Sequence, residues 1–115
     1  MAATHIPRSE AGAGLRAVAA RQAEFSRLCG KFGVLRLELF GSALSAGFDA
    51  THSDLDFLVE FEPMEPGDYA TAFFGLKEAL EQLFARPVDL VVASAIRNPY
   101  FRQSVDASKA LLYAA

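Results

Sequence analysis

Two aspartates, Asp54 and Asp56, open an otherwise apolar run, Asp-Leu-Asp-Phe-Leu-Val-Glu-Phe, that ends at Phe61. Side chains alternate along a strand, so both carboxylates share one face while Leu55, Phe57 and Val59 turn to the opposite layer. Two like charges held that close repel each other, and a cation between them relieves the repulsion. Hard oxygen donors select Mg²⁺ or Mn²⁺ for that place. A third carboxylate, Asp89, lies within Pro-Val-Asp-Leu-Val-Val, residues 87–92. A charge in so apolar a strand needs a partner, either a metal ion or an arginine such as Arg86 or Arg97. If that strand neighbours the one carrying the aspartate pair, the three carboxylates converge. Such a set can hold two metal ions around an in-line displacement at phosphorus, which is the chemistry of phosphoryl or nucleotidyl transfer.

That chemistry also needs a place for phosphates. Gly41-Ser42 follows an apolar strand and precedes a short helix expected from Ala43, so its backbone N–H groups are free to meet an anion. Gly41 allows close approach of the backbone, Ser42 adds a hydroxyl donor, and the residues between Ser42 and Asp54 are long enough to fold back over the site. Each motif alone is weak, because most Gly-Ser pairs are turns and surface strands often carry two aspartates. The ordered combination of Gly41-Ser42, Asp54 and Asp56, and Asp89 is specific. His52 reads as a solvated loop residue, and Arg97 and Arg102 read as helix-surface cations facing water.

The elements that must position these groups follow from periodicity. Residues 1–9 read as a flexible arm, ending where Ser9 can cap a helix, and residues 10–115 as a single domain. Leu15, Val18, Gln22, Phe25, Cys29 and Phe32 recur at helical spacing on one helix that ends near Gly33. Val34–Phe40 alternates as a strand, and Asp54–Phe61 forms the next. Asp68 to about Ala85 reads as a helix through Tyr69, Phe73, Leu76, Leu80 and Leu83. Residues 87–92 form a third strand, Asn98-Pro99 opens a short helix to about Val105, and Leu111–Tyr113 adds an edge strand or a docked tail. The fold class is α/β, a small mixed sheet flanked by helices, with the helices expected on one side.

Composition sets outer bounds. The 115 residues are 52% hydrophobic and 22% charged, ordinary for a folded domain and too few for a separate substrate domain. A net charge of −3 provides no footprint for direct nucleic-acid binding. No apolar run suits a signal peptide or a membrane span, so a cytoplasmic location is expected. The lone Cys29 makes no internal disulfide and reads as packing. Ten phenylalanines exceed what so small a core comfortably hides, which points to an interface with a partner or with another copy, with Phe74 the best candidate because it lies off the helical stripe.

Leu-Phe-Gly-Ser at 39–42, Ser-Asp-Leu-Asp-Phe-Leu-Val at 53–59 and Val-Asp-Leu-Val at 88–91 together resemble the minimal nucleotidyltransferases of the DNA polymerase β superfamily. The resemblance implies that fold's catalytic core, with Gly41 and Ser42 on the nucleotide phosphates and Asp54, Asp56 and Asp89 on the metals. It also implies ATP as the donor, a HEPN-type helical protein as partner in a toxin–antitoxin pair, and attachment of AMP to a hydroxyl of that partner. Many members carry arginines directly after Gly-Ser and two residues on; here these positions are Ala43 and Ser45. That departure keeps open an alternative in which the site is vestigial and the protein neutralises its partner by binding it. A dehalogenase-type phosphatase also uses Asp-x-Asp, but there the motif follows its strand, whereas here the strand follows the aspartates.

Overall fold

The computed structural model describes residues 13–44 and 54–115. The expected arm at 1–9, the Ser9 cap, His52 and the connection at 45–53 lie outside them.

The amino-terminal amphipathic stretch forms two helices, α1 at Ala13–Ala19 and α2 at Gln22–Lys31, in place of the single helix that periodicity predicts. The break at Ala20-Arg21 has no glycine or proline behind it, and the amide of Arg21 bonds to the Val18 carbonyl at 3.0 Å in a tightened turn. Its origin is tertiary. α1 packs on the turn after the first strand, whereas α2 packs on that strand and on the long central helix, and one straight rod does not serve both. The spacing still does its work across the break, for Val18, Phe25 and Cys29 are all buried. Gly33, at φ +71°, ends α2 in the left-handed conformation that glycine tolerates.

β1 spans Val34–Phe40 and runs straight into a 3₁₀ turn at Gly41–Leu44, shorter and tighter than the helix expected from Ala43. β2 spans Leu55–Phe61. Pro66 pre-sets the first turn of α3, Pro66–Phe84, so this helix begins two residues before Asp68. β3 is Val88–Val92, α4 is Pro99–Ala107 and β4 is Lys109–Ala114. The Asn98 side chain accepts from the amides of Tyr100 and Phe101 at 2.8 and 3.3 Å, the N-cap its position predicts.

The strands order β3-β2-β1-β4, with β1 antiparallel to β2 and β4, and β2 parallel to β3 through the α3 crossover. The carboxyl-terminal segment is thus an edge strand. One face of the sheet buries Leu37, Leu39, Leu55, Phe57, Val59, Val88 and Leu90 against α1–α3, where Ala72, Leu76 and Leu80 repeat every fourth residue along α3. The other face is not bare, contrary to the one-sided expectation: α4 lays Val105 over Phe40 and Leu58. Leu35 departs from the alternation because a register shift between Val34 and Arg36 leaves it 40% exposed. Among the described residues no helix is long and apolar enough to cross a membrane.

Two predictions follow directly from the packing. Burial pushes the Cys29 thiol up to about 12, so at pH 8 it is a neutral, enclosed group. A thiol reagent is expected to label native protein slowly and denatured protein at the rate of a free cysteine; equal rates would contradict the burial. At the start of β3, Glu81 accepts from the Val88 amide and from Lys77, each at 3.1 Å, and those bonds, the amide first, hold its carboxyl below the usual 4.5. Because the folded value is lowered, this contribution is present above pH 4.5 and is lost as pH falls through the depressed value. Glu81→Ala is expected to speed hydrogen exchange at the Val88 amide while leaving Leu90, deeper in the strand, unchanged.

Candidate active site

β2 and β3 pair in register at Leu55 with Val88 and at Asp56 with Asp89. Paired residues on neighbouring strands project to the same face, so Asp56 and Asp89 stand side by side on the face away from α1–α3. Phe40, the last residue of β1, pairs with Asp56 from the other side, which puts Phe40, Asp56 and Asp89 in one row across three strands. Asp54 precedes β2 by one residue and continues the alternation at its exposed end. The neighbouring-strand condition set by the sequence is therefore met. Asp54 and Asp89 are exposed and Asp56 is half-buried. Asp89 is in no ion pair among the described residues. Arg97 instead lines an apolar cleft of ≈ 650 Å³ with Phe73, Ile96 and Phe101. Arg102 pairs with Asp106 at 3.4 Å and donates to the Ala93 carbonyl at 2.8 Å.

The chain turns sharply beside this row. Gly41 takes φ +77°, and a Cβ built on it would collide with Oδ2 of Asp56. Glycine is thus required twice, for its backbone angle and for the space that the Asp56 carboxylate occupies. This contact brings the Gly41-Ser42 turn against the aspartate row, as the sequence order suggests, although the Ser42 side chain lies outside what is described.

The donor set is all carboxylate oxygen on one face at one end of the sheet, which suits a hard divalent cation. Among the described residues no three His, Cys, Asp or Glu side chains are yet gathered into one metal cage. Two of the three carboxylates, Asp54 and Asp89, are exposed, and Asp56 is half-buried.

Sequence reasoning missed Glu38. Noted only as a charged residue in the alternation of β1, it is just 5% exposed and sits on the aspartate face. Its Oε1 lies 3.6 Å from Lys109 Nζ and 3.5 Å from Arg36 Nε, and Lys109 also meets Asp106 at 3.1 Å. These pairs tie β4 and the end of α4 to the strand that leads into Gly41. The available signal was parity, since Arg36, Glu38 and Phe40 alternate onto one face; what hid it was the unforeseen docking of α4.

Comparison with known proteins agrees with this geometry. The family model for the nucleotidyltransferase domain matches residues 24–112. A proposed protein adenylyltransferase of Methanocaldococcus jannaschii is 40% identical over 76 residues, which cover 66% of this chain and 74% of that protein. The solved structure of a proposed minimal nucleotidyltransferase superposes with a TM-score of 0.65 at 33% identity, over 84% of this chain and 93% of that one. The complex of a tri-AMPylated Shewanella oneidensis HEPN toxin with its MNT antitoxin shares the fold, with a TM-score of 0.56 at 18% identity over 84% and 71% of the two chains. With a family model that spans most of the chain and a sheet that sets Asp56 beside Asp89 next to a glycine turn, this protein belongs to the nucleotidyltransferase domain family.

Proposed function

We propose that the protein transfers AMP from ATP to a hydroxyl group on a HEPN-type helical partner, as the antitoxin of a toxin–antitoxin pair. The observation that carries this reading is the row of Asp56 and Asp89 with Gly41 packed against it. Support for the transferred group and for the partner comes from the adenylyltransferase relative and from the AMPylated toxin complex that shares the fold.

In this reading Asp54, Asp56 and Asp89 would hold Mg²⁺, or Mn²⁺, on the face of the sheet away from α1–α3. Bound there, the ion supplies the positive charge that an α-phosphate and a departing pyrophosphate require. The backbone at Gly41 and Ser42 receives the phosphates, which the absence of a Cβ at Gly41 allows to come close. The acceptor hydroxyl gives up its proton to solvent, its oxygen forms a bond to the α-phosphorus, the bond from that phosphorus to the bridging oxygen breaks, and pyrophosphate leaves with the bridging oxygen. A second protein provides the acceptor in this reading, and the exposed Phe74, at 66%, fits such a contact.

One feature favours the vestigial alternative, the Ala43 and Ser45 that stand where many members of the resembled family carry arginines. The two separate in a pyrophosphate-release assay with Mg²⁺, each nucleoside triphosphate and the co-purified partner. Release that is fastest with ATP and depends on the partner supports transfer. Tight partner binding without release supports the binding module.

A further inference from the structure

Three consecutive residues of β3, Leu90, Val91 and Val92, line the apolar cleft of ≈ 650 Å³ that also holds Arg97. Side chains of a strand alternate between faces, so three in a row reach one cleft only where it runs along the strand's open edge. β3 is such an edge, with β2 on its other side. Phe73 flanks the cleft from α3 and Phe101 from α4, which makes an apolar trough beside the backbone.

Two hydrogen bonds fix which backbone groups face this trough. The Pro87 carbonyl accepts from the Leu55 amide of β2, whereas the Val88 amide turns the other way, to Glu81. Backbone groups alternate sides from one residue to the next, so those of Asp89 and Val91 serve β2 and those of Leu90 and Val92 point outward. Among the described residues nothing bonds to Leu90 or Val92 on that side. Unpaired N–H and C=O groups along an edge are a template for an added strand. The open stretch is short, because Glu81 already occupies the Val88 amide and the chain turns away after Val92 into Ala93–Ala95. The other edge, β4, begins at Lys109, a charge of the kind that discourages pairing.

We propose that a second copy of this chain adds its own β3 here, antiparallel, so that one sheet runs through both copies. In the register that uses every open group, Leu90 pairs with Val92 of the second copy and Val92 with its Leu90, about a twofold axis at Val91. Two outward-facing residues around an inward one are matched by the same three residues turned round, which is what a self-complementary contact requires. At the axis Val91 meets Val91, a β-branched pair suited to close approach. Charge agrees with this arrangement. Arg97 is exposed, follows the end of β3 and is in no ion pair among the described residues. Antiparallel pairing carries it toward the start of the other β3, where Glu81 stands. The inference is independent of the transfer reading.

The test is the mass of the full chain, without partner, by sedimentation equilibrium from micromolar to submillimolar concentration, with hydrogen exchange followed at the Leu90 amide. Wild type is expected to dimerise, and exchange at Leu90 to slow as concentration rises. Val92→Pro removes the outward amide at a position whose φ of −82° lies close to the proline value, and proline is tolerated on an edge strand. Two hydrogen bonds are lost per dimer, so its affinity falls at least about tenfold. Arg97→Glu also weakens the dimer, whereas Leu111→Ser, on the exposed side of β4, leaves it unchanged. Circular dichroism shows whether each variant is folded; if Val92→Pro is not, Arg97→Glu and the exchange at Leu90 decide. A chain that stays monomeric throughout, with Leu90 exchange independent of concentration, would overturn the inference. Exchange that slows only when the helical partner is added assigns the edge to that protein and overturns it too. So does a dimer that survives both Val92→Pro and Arg97→Glu, or one that Leu111→Ser dissolves.

Discussion

Asp56→Asn is expected to lower AMP transfer by at least about a thousandfold, a loss of ~4 kcal/mol of transition-state stabilisation, while the protein stays folded. The change keeps size and shape but removes the charge that faces Asp89 across the strand pair. A residue needed only for structure would behave in the opposite way, losing stability along with any activity when it is changed. Thermal unfolding separates the cases: a midpoint within about 2 °C of wild type, less than a 1 kcal/mol change produces in a domain of this size, supports the ligand role. Asp54→Asn follows the same expectation, and Asp54 is still easier to vary without structural cost because it is exposed.

Gly41→Ala is expected to have the second largest effect, and to strike stability and activity together. Placing a Cβ at φ +77° costs about 1–3 kcal/mol in backbone strain. The same methyl group runs into Oδ2 of Asp56, so relief comes only by moving the carboxylate or the turn. A displacement on the order of 1 Å at a reacting centre lowers rate by about a hundredfold. Gly30→Ala is the matched control: it lies within α2, nothing stands within 4 Å of its added Cβ, and it should raise stability by roughly 0.5–1 kcal/mol with no loss of activity. Equal tolerance at both glycines would show that the contact between Gly41 and Asp56 is not important.

The aspartate row was legible in the sequence because a strand alternates with a period of two whatever surrounds it. Asp54 and Asp56 had to share a face, and the apolar neighbours of Asp89 marked its strand as a central one, so only the adjacency of β2 and β3 remained to be seen. Gly41 was legible for its freedom and not for its contact with Asp56, which depends on how the turn closes. Long-range docking was what the sequence hid. The break between α1 and α2 has no local cause, the register shift at Leu35 arises from strand pairing, and the burial of Glu38 depends on α4 crossing a face expected to be open.

The central claim is tested most directly by incubating the purified protein with its helical partner, ATP and Mg²⁺, and measuring the intact mass of both chains. The account predicts that the partner gains one or more AMP units and that the gain vanishes with Asp56→Asn. Partner that binds firmly yet keeps its original mass, or a gain that persists in the Asp56→Asn variant, would contradict it.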